Sequence, residues 1–153
     1  MLRISVYSAG FSRPPLPRTM LREAARFVLE GEGIRAGTVR IILADDATIC
    51  ELNRRYLQHD YPTDVLTFVL ETAPLEVEIY IGAEQALRQA AEYGVAPQEE
   101  FVRLTLHGIL HALGYDDQTP TQRRAMEAKQ EHYLRSYFAA RFSADTSFGA
   151  TAP

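Results

Sequence analysis

His107-Gly108-Ile109-Leu110-His111-Ala112-Leu113-Gly114-Tyr115-Asp116-Asp117 is the most informative stretch of the chain. Two histidines four apart on a helix stack on one face, about 6 Å apart at Cβ, so both imidazoles can reach one metal ion. Leu106, Ile109, Leu110 and Leu113 lie on the other flank and are expected to hold this helix to a core. Gly114, three residues after His111, can take a left-handed conformation, end the helix and turn the chain back. Asp117 is then placed to offer a carboxylate oxygen from a third direction. Three protein ligands leave a fourth position for water, the arrangement of a catalytic rather than a structural zinc site. The bland alternative is two satisfied core histidines. The glycine turn and the carboxylate at this spacing favour the metal.

Outward from this helix the chain reads as alternating elements. Leu2–Tyr7 alternates apolar and polar residues, as a half-buried strand does. Leu16–Gly31 carries an amphipathic helical pattern that stops at glycine. Val39–Ala44 is a β-branched apolar strand, and Asp45 or Asp46 can cap a helix over roughly Ala47–Gln58. A polar, turn-rich link, His59–Asp64, leads to two strands, Val65–Leu70 and Glu76–Ile81, close enough in sequence to form an antiparallel hairpin. Helices follow over Ala83–Tyr93, from Pro97 to about Leu113, and from Thr119-Pro120 to about Phe142. This order predicts an α/β or α+β domain over residues 1–142 with a small mixed sheet. The elements amount to about four strands and about five helices. Residues 143–153 are expected to form a frayed tail.

The 153 residues carry a net charge of −4, unevenly spread: +4 over residues 1–40, −9 over 41–100 and +1 over 101–153. Arg18, Arg22 and Arg26 form one stripe on the first helix. Such a stripe on an acidic protein either steers a polyanion such as RNA or is a solvated helix face, and spacing alone favours the second. No apolar run approaches the length of a membrane span. The N-terminus has no secretory pattern, and Cys50, the single cysteine, reads as a buried small hydrophobe, so the expected compartment is the reducing cytoplasm.

The His107–Asp117 spacing resembles the metzincin peptidase pattern, but Gly108 stands where a peptidase has its general-base glutamate. It resembles the YbeY family of bacterial endoribonucleases more closely. That family's motif, H-G-x-L-H-x-x-G-Y-D-H, is matched at ten of eleven positions by HGILHALGYDD, the last being Asp117. A second family block is matched by Leu52–Phe68 (LNRRYLQHDYPTDVLTF), and a third in part by Val77–Ile81. Met126 and Glu127 also fit.

The resemblance implies an α+β fold, a small mixed sheet of about four strands packed with about five helices and the metal site on a long central helix, and a zinc-dependent, single-strand-specific endoribonuclease acting in rRNA maturation of the small ribosomal subunit. The partners it implies are ribosomal RNA, the small subunit and a ribosome-associated GTPase or ribosomal protein, with no membrane. It implies one zinc per chain, on His107 and His111, with Asp117 in the place of the third ligand. A carboxylate there makes bound water less acidic and widens metal choice toward manganese or iron. Asp116 fits the family's aspartate, either orienting a ligand histidine or holding the turn.

Leu57 stands where many members carry an arginine thought to act on the phosphate. Arg54 or Arg55, with His59 a further candidate, could replace that cation, or both arginines could be solvated surface. Thr63 and Asp64 could line the cleft, although Asp64 could equally brace the turn. Two rival readings remain: a metallopeptidase, and a ribosome-assembly factor in which zinc only stabilises the fold.

Overall fold

The computed structural model describes residues 1–10, 17–57 and 63–150. Four strands, β1 (Leu2–Ala9), β2 (Gly37–Ala44), β3 (Val65–Thr72) and β4 (Leu75–Gly82), form one sheet in the order β1-β2-β4-β3. β1 and β4 both lie parallel to β2, and β3 closes the edge antiparallel to β4. The expected hairpin is therefore present, and the sheet is mixed.

Among the described residues there are also five helices: α1 (Arg18–Gly31), α2 (Asp46–Leu57), α3 (Ala83–Tyr93), α4 (Pro97–Ala112) and α5 (Pro120–Ala150). α5 extends eight residues past the expected end at Phe142. Residues 143–148 contain neither glycine nor proline, so no backbone breaker stops the helix there.

Strand alternation divides the core in two. Val39, Ile41 and Leu43 of β2 and Val77, Ile79 and Ile81 of β4 face α1, α4 and α5 in one large cluster with Leu21, Val28, Phe101, Leu106, Ile109 and Met126. Their neighbours Ala44, Leu66, Phe68 and Tyr80 point the other way and pack on Ile49 and Leu52 of α2. Asp45 caps α2, its Oδ1 accepting the Thr48 N–H at 2.8 Å. Asp46 accepts an ion pair from Arg88 of α3 at 2.9 Å. Cys50, expected to be buried, is half-buried on α2.

α4 is buried over most of its circumference, including Phe101, Val102, Leu104, Thr105, Leu106, Gly108, Ile109 and Leu110. A helix apolar nearly all round belongs in the centre of a fold, and α4 packs against α1, α3, α5, β3 and β4. Its one polar stripe is Glu99, Arg103, His107 and His111, spaced four apart.

Candidate active site

The polar stripe of α4 meets α5 and becomes a seam of hydrogen bonds. Arg103 donates to Glu131 from Nε at 2.9 Å and Nη2 at 3.1 Å, to Glu100 at 2.7 Å and to Glu99 at 3.1 Å. Matching donor-only nitrogens to three carboxylates is what makes a largely buried guanidinium tolerable. These hydrogen bonds, with Glu131 foremost, raise the Arg103 pKa further.

One turn along, Nδ1 of His107 lies 2.8 Å from Oε1 of Gln130. The His107 and His111 rings are parallel, with 6.4 Å between centroids and 4° between planes. His107 is half-buried and His111 exposed, so the pair runs from the core to the surface.

The turn after α4 forms as its glycine predicts. The Gly114 N–H donates to the His111 carbonyl and the Tyr115 N–H to the Leu110 carbonyl, both at 3.1 Å. These are the two bonds of a Schellman cap, and Gly114 supplies the positive φ of 102° that it needs.

Glu32, just beyond α1, anchors this turn. It accepts the Tyr115 hydroxyl at 2.6 Å and the Tyr133 hydroxyl at 2.5 Å, and Lys129 lies 3.4 Å away. Burial pushes the Glu32 carboxyl up, but bonds from Tyr115, Tyr133 and Lys129 and the lysine charge outweigh it and hold the carboxyl below its ordinary value. Burial and the Glu32 carboxylate push the Tyr133 phenol up to about 12. Asp116 holds the turn: its Oδ1 accepts the Asp117 N–H at 3.0 Å. Arg123 binds the Asp117 carbonyl at 3.1 Å.

The structure thus brings His107 and His111 together. Among the described residues no group of three or more His, Cys, Asp or Glu side chains is arranged to hold a metal ion. The donor chemistry fits a zinc ion at two positions. With Nδ1 of His107 engaged by Gln130, its Nε2 remains for a ligand, the usual support for a metal-binding histidine.

The other candidates lie as follows. Arg54 and Arg55 sit on the exposed face of α2 and both pair with Glu51, Arg55 at 3.7 Å. Leu57 is 47% exposed at the end of the same helix. His59 lies outside the described residues. The backbone carbonyls of Thr63 and Asp64 pack on Gly82, where a Cβ would stand 2.7 Å from the Thr63 oxygen, and the Gly82 N–H donates to Asp64 at 2.8 Å.

Arg18 and Arg26 reach β1, donating to the carbonyls of Val6 at 3.3 Å and Leu2 at 3.4 Å, while Arg22 donates to Thr19 at 3.2 Å. The Met1 and Ala9 carbonyls accept bonds from Gly37 and Asp45, so the even-numbered carbonyls of β1 face its open edge. Arg18 and Arg26 of the stripe therefore cover an edge strand, a use that spacing does not reveal.

Gly108 explains the departure from the peptidase pattern. It is buried, and a Cβ there would lie 2.8 Å from Cγ2 of Ile79. Its carbonyl accepts the Thr67 hydroxyl at 3.3 Å. The position that carries a peptidase's glutamate here presses against the sheet.

Gln130 is the site residue that motif reading missed. Its signal was a lone polar residue among Met126, Leu134 and Tyr137 on the buried face of α5.

A family model described as "Endoribonuclease YbeY" matches residues 16–138. The chain is 36% identical over 136 residues to the Endoribonuclease YbeY of Chloroherpeton thalassium, covering 88% of this chain and 96% of that protein. It is 42% identical over 125 residues to that of Pelotomaculum thermopropionicum, covering 75% and 82%. Among solved structures, the solution structure of TM1509 from Thermotoga maritima matches with a TM-score of 0.65 at 28% identity, covering 94% of this chain and 93% of that one. With the glycine-ended histidine helix of α4 inside the matched region, the chain belongs to the endoribonuclease YbeY family.

Proposed function

We propose that this chain is a metal-dependent endoribonuclease that cuts single-stranded RNA in rRNA processing and maturation of the small ribosomal subunit. The observation that carries the reading is the parallel His107–His111 pair with one ring oriented by Gln130, in a chain of the endoribonuclease YbeY family. The proposed cofactor is one zinc ion held by His107 and His111, with Asp117 as third donor and other divalent ions as substitutes. Bound there, zinc supplies a Lewis acid that polarises a phosphate oxygen and acidifies water.

The chain's own residues do the rest. The Schellman cap and the Glu32 anchor hold the turn that carries Asp117. Arg54 and Arg55, with His59, are the proposed source of positive charge for the phosphoryl group, in place of the arginine replaced by Leu57. Thr63, Asp64 and the Arg18, Arg22 and Arg26 stripe are proposed to contact the RNA. The proposed partners are ribosomal RNA, the small subunit and a ribosome-associated GTPase or ribosomal protein. The proposed compartment is the cytoplasm. No helix of the described residues is long and apolar enough to cross a membrane.

The test is cleavage of single-stranded RNA by wild type beside His111→Ala, each with its zinc content measured. His111 is exposed, so the variant is expected to fold, to lose metal and to lose cleavage. A metal-loaded wild type that cuts neither free RNA nor RNA in ribosomal particles overturns the reading.

A further inference from the structure

The direction of every hydrogen bond in the α4–α5 seam follows from its donor-only end. A guanidinium can only donate, so Glu131 accepts from Arg103. Burial alone would push the Glu131 carboxyl up, but the bonds from Arg103 and Gln130 and the charges of Arg103 and Arg135 hold it below its ordinary value. With both oxygens accepting from the Arg103 guanidinium, Glu131 is a carboxylate, and a carboxylate only accepts.

The amide of Gln130 must then turn its NH2 toward Glu131, and Nε2 donates to Oε2 at 3.2 Å. That leaves Oε1 facing Nδ1 of His107 at 2.8 Å. A carbonyl oxygen cannot donate, so the proton of a neutral His107 sits on Nδ1 and the lone pair on Nε2. Gln130 is 7% exposed, so water does not readily compete for either end.

We propose that Gln130 is a positioning residue that sets the tautomer of His107, with its own direction imposed by Arg103 through Glu131. The relay commits Nε2 of His107 to ligand binding and fixes the ring's orientation. Its metal consequence rests on the reading of His107 as a ligand, but the tautomer itself does not.

The experiment is a ¹⁵N–¹H long-range correlation spectrum of the histidines in the metal-free full chain, above the pH at which imidazole titrates. Wild-type His107 is expected to show the Nδ1–H pattern. Gln130→Met keeps the volume but removes the acceptor, and is expected to shift His107 toward a mixed or Nε2–H pattern. Gln130→Glu keeps an acceptor and is expected to restore Nδ1–H. Glu131→Gln leaves Gln130 in place but removes the pure acceptor that directs it, and is also expected to mix the tautomers.

Zinc affinity, by competition with a chelator, is expected to fall by about 10–100-fold in Gln130→Met. An Nε2–H pattern in wild type overturns the proposal, and that spectrum decides even if a variant fails to fold. A wild-type pattern unchanged in folded Gln130→Met also overturns it. If the tautomers respond as expected but wild type takes no zinc, the relay stands and the metal reading falls.

Discussion

Replacing Gly108 by alanine sets two effects of opposite sign against each other. Glycine inside a helix is disfavoured, and alanine at an open helical position stabilises by about 1 kcal/mol. At residue 108 the new methyl would lie 2.8 Å from Cγ2 and 3.3 Å from Cδ1 of Ile79, and 3.3 Å from Oγ1 of Thr67. Ile79 is fully buried in β4, and its β-branch leaves little rotamer freedom with which to move aside. α4 would have to lift from the sheet, loosening the bond from Thr67 to the Gly108 carbonyl. Overpacking of this kind costs about 1–3 kcal/mol, so a net loss of about 1 kcal/mol is expected. Urea unfolding followed by circular dichroism measures it, as a lower midpoint at unchanged slope. Gly108→Glu would bury a carboxylate in the same place, and is expected to prevent folding rather than to create a peptidase base. An alanine variant as stable as wild type, or more stable, would refute the reasoning and reopen the site to a side chain at residue 108.

Three further outcomes are expected. Leu57→Arg, at an exposed helix end, should change stability by no more than about 0.5 kcal/mol and should leave kcat on single-stranded RNA unchanged, because Arg54, Arg55 and His59 are the proposed cations; a raised kcat would show that they do not replace it. The Glu32 carboxyl is held below its ordinary value of 4.5, so its stabilisation is full above that pH and is lost as the pH falls through the lower folded value. Glu32→Gln should therefore flatten the fall of stability with acid in that window, as read by melting temperature against pH; an acid limb as steep as wild type's would exclude Glu32 as its source. Arg22→Ala should lower the slope of log RNA affinity against log salt by about 0.7, the contribution of one phosphate on a single strand; an unchanged slope would exclude Arg22 as a phosphate contact.

The helices and strands were legible because local chemistry marks them. Gly114 ends α4 with a positive φ, Pro97 opens the same helix, and alternation in β1, β2 and β4 sorts their residues onto two faces. The end of α5 was missed because a small, polar composition reads as fraying while nothing in residues 143–148 breaks a helix. The histidine pair was legible because a four-residue spacing on a helix is already a geometry.

What the sequence by itself determined is the set of elements, the hairpin, the paired imidazoles and the turn that follows them. All of these depend on neighbours within a few residues along the chain. Only the tertiary structure decided that β1 and β4 flank β2, that Arg18 and Arg26 cover an open strand edge, and that Gly108 is glycine because Ile79 lies behind it. It also decided that Gln130, 23 residues away along the chain, faces His107. Hydrogen bonds and close approaches of this kind join residues through space, and their partners are defined only once α4, α5 and the sheet have packed.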